Sequence, residues 1–278
     1  MLPIISPKQL KELSTKSLII LDVRTGKDNY QNYLNKHIKG ARFVDLDEDL
    51  ADVGENAAFG GRHPLPEIQK FSKTVARFGI SADSHVIIYD DKNGANAAAR
   101  AWWMLRSFGL KNIQVLDGGI QAAEKEGLEF LSGEETFEKS EIITKEHWLL
   151  PVSSLEDVEN ELTSESATVI DVRDAYRYKG ESEPIDLIAG HIPGAINIPF
   201  SENLDQNGSF LKPEILREKY KDLLKNKPEK LIVHCGSGVT ACHTILALEY
   251  AGFQMSNLYV GSWSEWSRRE GKEIARED

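Results

Sequence analysis

Leu231-Ile232-Val233-His234-Cys235-Gly236-Ser237-Gly238-Val239-Thr240-Ala241-Cys242, near the C-terminal end of a 278-residue chain, is the stretch around which the sequence is organised. Its apolar start predicts a buried strand. Its glycines predict a tight turn, and His243-Thr244-Ile245-Leu246-Ala247-Leu248-Glu249-Tyr250-Ala251 predicts a helix ended by Gly252. Cys235 therefore stands where a parallel strand hands over to a helix. Unpaired amides and the positive helix end converge there, a setting that suits an anion and favours a thiolate. Gly236 and Gly238 permit positive φ and leave room for a bound group. An inert buried cysteine is the alternative reading, and the glycines flanking a small hydroxyl weigh against it.

Outward from this stretch, the chain reads as one pattern written twice. Ser6-Pro7-Lys8-Gln9 is a capping box with proline at the first helical position, followed by the strand Leu18 to Arg24 and then His37-Ile38-Lys39-Gly40-Ala41. Later come Ser153-Ser154-Leu155-Glu156, the strand Thr168 to Arg173, and His191-Ile192-Pro193-Gly194-Ala195. His85 to Asp90 matches Lys230 to Cys235, and Gln114 to Gly119 matches Asn257 to Ser262. Short apolar strands alternating with amphipathic helices predict an α/β fold in each half, a parallel sheet with helices on both faces. The expected division is a first domain over 1–131, a Glu- and Lys-rich linker over 132–152, and a second domain over 153–278. Trp148-Leu149-Leu150 is too apolar to stay undocked.

Size and composition fit this division. The length exceeds one typical domain, and 41% hydrophobic with 28% charged residues describes a globular chain with ample core material. A formal net charge of −11 argues against nucleic acid and anionic membrane as partners. Two cysteines cannot build a disulfide framework, and a thiol enzyme needs a reducing compartment. The first residues lack a basic region followed by an apolar core, and no run is long enough to span a bilayer, so the cytoplasm is the expected location.

The two copies differ at the decisive position. Asp90 stands where the second copy has Cys235, and the loop after it is two residues longer. A carboxylate is a poor sulfur nucleophile, and the longer turn is not expected to hold the same cup. Chemistry is expected in the second half alone.

Tandem Asp-Val-Arg strands, paired His-Ile-x-Gly-Ala segments, Cys235-Gly236-Ser237-Gly238-Val239-Thr240 and Gly261-Ser262-Trp263-Ser264-Glu265-Trp266 together resemble the two-domain rhodanese sulfurtransferases. The resemblance covers nearly the whole chain apart from the linker. It implies two tandem rhodanese-like domains, the first inactive and the second catalytic, with a substrate cleft between them. It also implies that Cys235 carries sulfane sulfur as a persulfide, held by the amides from Gly236 through Gly238, Val239 and Thr240 to Ala241. A thiophilic acceptor such as cyanide or a thiol, thioredoxin's for example, then removes the sulfur in ping-pong fashion. No metal or organic cofactor is implied. His37 and His191 each sit in a repeated turn, where structural hydrogen bonding is expected rather than metal ligation.

In thiosulfate-preferring relatives the loop carries cations after the cysteine. Gly236 and Ser237 match instead the pattern of 3-mercaptopyruvate sulfurtransferases. Arg177 matches a family arginine that binds the donor carboxylate, a contact expected to be bidentate. The second arginine usual in the mercaptopyruvate enzymes, nine residues on, is here Asp186, as in several thiosulfate-type relatives; it would repel the donor, so either Lys179 or another cation compensates or the donor preference is broader. The resemblance further implies a proton relay of Ser237, His63 and Asp47. Cys242 and the four tryptophans Trp102, Trp103, Trp263 and Trp266 are expected to fill cores or line a wall.

Three other readings compete. A thiosulfate:cyanide sulfurtransferase with little mercaptopyruvate activity shares the same loop chemistry. A phosphatase would need arginine at position 241, which is alanine. A non-turnover sulfur carrier is disfavoured by the retained cysteine and glycines.

Overall fold

The structure is a computed structural model that describes residues 1–13, 17–164, 166–225 and 230–277, with the side chains of 223–225 left out. The chain divides into two compact units. The first comprises Met1–Asp52, Pro66–Leu149 and Gln206–Ser209, and the second Val53–Leu65, Leu150–Asp205 and Phe210–Asp278. Val53–Leu65 thus precedes most of the second unit in sequence and packs as part of it. The stretch after Ser132 runs along the first unit, where Trp148 docks on Phe71 and Trp103 with ring centroids 5.1 and 6.3 Å apart.

In the first unit five parallel strands lie side by side in the order Ile4–Ile5, Ile113–Leu116, His85–Tyr89, Leu18–Asp22 and Ala41–Phe43. The second unit repeats that order from the opposite edge as Ile196–Asn197, Ala167–Asp171, Lys230–His234, Asn257–Tyr259 and Val152–Ser153. Each sheet is flanked by helices on both faces, so its central strands are mainly apolar in their middles, as parallel strands covered on both sides are. Ile87, Tyr89, Leu116 and Ile120 anchor one core. Val169, Ile232, Tyr259 and Trp263 anchor the other.

The duplication extends to side-chain chemistry. In the first unit Arg24 forks onto Asp22 at 2.6 Å, while the His37 ring bonds the Tyr33 carbonyl at 2.8 Å and stacks on the Tyr33 ring. In the second, Arg173 forks onto Asp171 at 2.6 Å, and His191 bonds the Tyr178 carbonyl at 2.8 Å and stacks on that ring. Both histidines are therefore structural braces.

Local signals also hold. Ser6 and Gln9 form the reciprocal capping box, and Ser154 and Asp157 cap the helix Leu155–Ser164 in the same way. The helix after Cys235 spans Thr240–Tyr250, beginning three residues earlier than its apolar run suggests, and Gly252 follows it at φ +84°. No helix among the described residues is long and apolar enough to cross a membrane.

Candidate active site

Lys230–His234 is the central strand of the second unit's sheet, and Cys235 is the first residue beyond its carboxyl end. Ligands gather at such ends in open α/β sheets. The turn Gly261–Trp266 forms the floor beneath the loop. Ser262 Oγ accepts the Cys235 N–H at 3.2 Å, the Cys235 carbonyl accepts the Trp263 N–H at 3.0 Å, and the Gly236 carbonyl accepts the Ser264 N–H at 2.8 Å. Ser262 adopts φ +54°, the conformation that glycine takes at the matching Gly119 (φ +59°). Its hydroxyl is what justifies a non-glycine there. Gly238, at φ +73°, lies so close to the floor that an added Cβ would come within 2.6 Å of the Val260 carbonyl oxygen.

Cys235 is 1% exposed at the base of this turn. The amides of Gly236, Ser237 and Val239 donate to no acceptor among the described residues. The matching loop of the first unit shows what such amides do. There the Asp90 carboxylate accepts the N–H groups of Lys92, Gly94, Asn96 and Ala98 at 2.7 to 3.1 Å. Contrary to expectation, the longer turn does close into a cup, and its own side chain fills it. Burial still outweighs these four donors and holds the Asp90 carboxyl above its ordinary range.

His63 and Ser237, though 174 residues apart, meet within the second unit, with His63 Nδ1 2.7 Å from Ser237 Oγ. The segment carrying His63 is pinned to the floor residue by residue. The Gly60 N–H donates to Glu265 at 2.9 Å and the Arg62 N–H to Ser264 Oγ at 3.0 Å. Gly61 sits so close to Gly261 that a Cβ would come within 2.4 Å of its carbonyl oxygen. Asp47 belongs to the first unit, where it is exposed in the short helix Leu46–Asp49.

Arg177 is 7% exposed and bound by Glu183, which accepts its Nε at 3.0 Å and its Nη2 at 2.7 Å. Burial opposes the charge of Arg177, yet Glu183 and Asp186 hold its guanidinium above the usual range. Burial likewise opposes the charge of Glu183. Arg177 and the amides of Asp186 and Ile185 overcome it, and the carboxyl lies below its usual range. Asp186 does not stand as a lone repulsive charge. It accepts Arg268 at 2.9 Å, Arg62 at 3.1 Å and Arg177 at 3.4 Å. Lys179, the cation suggested by the sequence, is exposed and absent from this cluster among the described contacts.

Cys242 is fully buried, its thiol 3.3 Å from the Gly238 carbonyl, and Trp102, Trp103 and Trp263 are fully enclosed. Sequence reasoning missed Arg62, Glu183, Ser264, Glu265 and Arg268. Arg62 adjoins His63, and the adjacency was the only available signal for it.

A model of the rhodanese-like domain matches residues 6–126 and again 154–269. A probable 3-mercaptopyruvate sulfurtransferase of Pseudomonas aeruginosa is 38% identical over 273 residues, 96% of this chain and 95% of its own. A putative thiosulfate sulfurtransferase of Mycobacterium tuberculosis is 37% identical over 92% of this chain and 90% of its own length. The crystal structure of the Escherichia coli 3-mercaptopyruvate enzyme superposes with a TM-score of 0.80 at 31% identity, covering 95% of this chain and all of that one. The paired folds, the cysteine loop and these likenesses converge: the chain belongs to the rhodanese family and is a sulfurtransferase with two rhodanese-like domains.

Proposed function

We propose that the second domain moves sulfane sulfur from 3-mercaptopyruvate through a Cys235 persulfide to a thiophilic acceptor, cyanide or a thiol such as thioredoxin's. The observation that carries this reading is the pair of loops. The cup at Asp90 is filled by its own carboxylate, whereas the amides of Gly236, Ser237 and Val239 beside Cys235 donate to no acceptor among the described residues.

In the first step the Cys235 thiolate attacks the donor sulfur. An S–S bond forms, the donor C–S bond breaks, and its electron pair leaves on the carbon of pyruvate enolate. The proton from the donor thiol goes to that carbon, and the Ser237–His63 pair carries it. The amides of Gly236, Val239 and Thr240, with the turn made possible by Gly238, stabilise the terminal persulfide anion. In the second step the acceptor attacks the outer sulfur and Cys235 leaves as thiolate. Arg177 binds the donor carboxylate, and Asp47 has its relay role by family resemblance alone. The first domain contributes no nucleophile.

A thiolate nucleophile needs a reducing compartment such as the cytoplasm, and neither cysteine is in a disulfide. The guanidiniums of Arg62 and Arg177 beside Gly236 supply charge that the loop itself lacks, which favours thiosulfate as a second, slower donor.

The test is mass spectrometry of the protein after brief exposure to 3-mercaptopyruvate, followed by cyanide. One sulfur atom gained on the peptide containing Cys235 and lost as thiocyanate supports the proposal. No gain, or an equal gain in Cys235→Ser, ends it. Repeated thiocyanate release per protein molecule separates an enzyme from a carrier.

A further inference from the structure

We infer that Arg62 binds the donor's carboxylate, supplying from the segment Val53–Leu65 the cation that position 186 lacks, and that Asp186 is its positioning residue. This assignment rests on the sulfur-donor reading above.

Asp186 occupies the place where the family's usual second arginine is expected, and it is 8% exposed. It gathers Arg62, Arg177 and Arg268 around one carboxylate, whose Oδ2 would stand 3.6 Å from a Cβ added at position 236, so its charge is met by the guanidiniums on the spot. Arg62 uses Nε at 3.1 Å and, more weakly, Nη2 at 3.5 Å on Asp186, which fixes the plane of its guanidinium. Its Nη1 donates to no acceptor among the described residues. Its side chain is also the most open of the three, 27% exposed against 9% for Arg177 and 17% for Arg268.

Position 236 tells where that free edge works. A Cβ added to Gly236 would stand 3.1 Å from Arg62 Nη2 and 3.5 Å from Arg177 Nη2. Two guanidiniums therefore flank the residue next to the nucleophile, and glycine leaves the space between them to a ligand. Both arginines are anchored through Nε and Nη2, Arg177 by Glu183 and Arg62 by Asp186, but the Arg62 side chain is three times as exposed, so it is the more open donor for a second carboxylate. A planar fork with one edge anchored and the other free suits a single planar carboxylate beside a sulfur atom.

The experiment compares the full-length protein with Arg62→Ala, Arg62→Lys and Asp186→Asn. Steady-state kinetics use 3-mercaptopyruvate with cyanide, and pyruvate serves as an unreactive carboxylate inhibitor. Cys235 loading from an uncharged organic trisulfide is followed by mass spectrometry. A charge-assisted contact of this kind is worth about 10- to 100-fold in affinity. Arg62→Ala should raise KM and the pyruvate inhibition constant together by roughly that factor, with kcat changing far less and trisulfide loading spared. Arg62→Lys should restore only part of the affinity, because it keeps the charge and loses the fork. Asp186→Asn should move both constants in the same direction by a smaller factor.

Unchanged KM and pyruvate inhibition in Arg62→Ala overturn the assignment. So does an equal loss of trisulfide loading, which would mark Arg62 as a mere support for its segment. Failure of the unaltered protein to load from any donor would instead defeat the sulfur-transfer reading itself.

Discussion

Cys235 and Cys242 are both buried thiols, and they differ in what surrounds them. Cys242 donates to the Gly238 carbonyl, while Cys235 lies beside the amides of Gly236, Ser237 and Val239, which have no acceptor among the described residues. Replacing Cys235 by serine should therefore abolish turnover with the fold intact. Replacing Cys242 by alanine should cost about 1–2 kcal/mol of stability and leave turnover within roughly twofold. Denaturant melts and thiocyanate release measure the two quantities separately. The 2.7 Å contact between His63 and Ser237 makes a second expectation at this scale. If the pair passes one proton, as proposed, Ser237→Ala and His63→Ala should each slow 3-mercaptopyruvate by about 10²-fold, and the double variant no further. Thiosulfate, which carries no thiol proton, should suffer much less. Equal losses on the two donors would remove the relay.

The elements that hold these residues were unequally legible in the sequence. The strand before Cys235 and the helix after it follow from apolar runs and a terminal glycine, signals contained within a few residues. That the helix begins at Thr240 depends on the chain turning at Val239, which the apolar pattern does not encode. The segment Val53–Leu65 has no periodic pattern at all. Its place is set by partners up to 205 residues away, Glu265 and Ser264, so only resemblance pointed to His63 and only adjacency to His63 pointed to Arg62. Asp186 looked repulsive because a sequence shows a carboxylate without its three arginines. Two tests address the floor of the site. Gly238→Ala forces a side chain into a positive-φ position against the Val260 carbonyl and should destabilise the fold by about 2 kcal/mol or more. Glu265→Ala removes the acceptor shared by the Gly60 N–H and the Tyr259 hydroxyl. It should cost about 1–3 kcal/mol and lower kcat/KM for 3-mercaptopyruvate, since Arg62 and His63 lose their anchor.

At the scale of the whole molecule, the charge network of the second unit sets how the protein meets acid. Asp171 is buried, which opposes its charge, but His234 and Arg173 hold its carboxyl below the ordinary value, as Arg177 does for Glu183. Both groups bind protons more readily in the unfolded chain. Their stabilisation is therefore complete above the ordinary carboxylate range, about pH 4–5, and is lost as pH falls through the depressed native values. Glu183→Gln should be less stable near neutrality by about 3 kcal/mol and show a shallower acid limb. Urea midpoints measured from neutral pH into acid check both the offset and the slope; an unchanged slope would mean that Glu183 does not contribute to it.

Asp90 has a consequence for how the duplicated gene can vary. Its carboxylate serves as a permanent internal ligand, so the earlier repeat has turned an anion receptor into a fastener. A thiol placed at 90 would strand four enclosed donors and still face a turn two residues too long. Building a thiol cup there thus requires shortening the turn as well as changing the side chain, and each change alone loosens the sheet. Any such change works against the stability of the repeat itself.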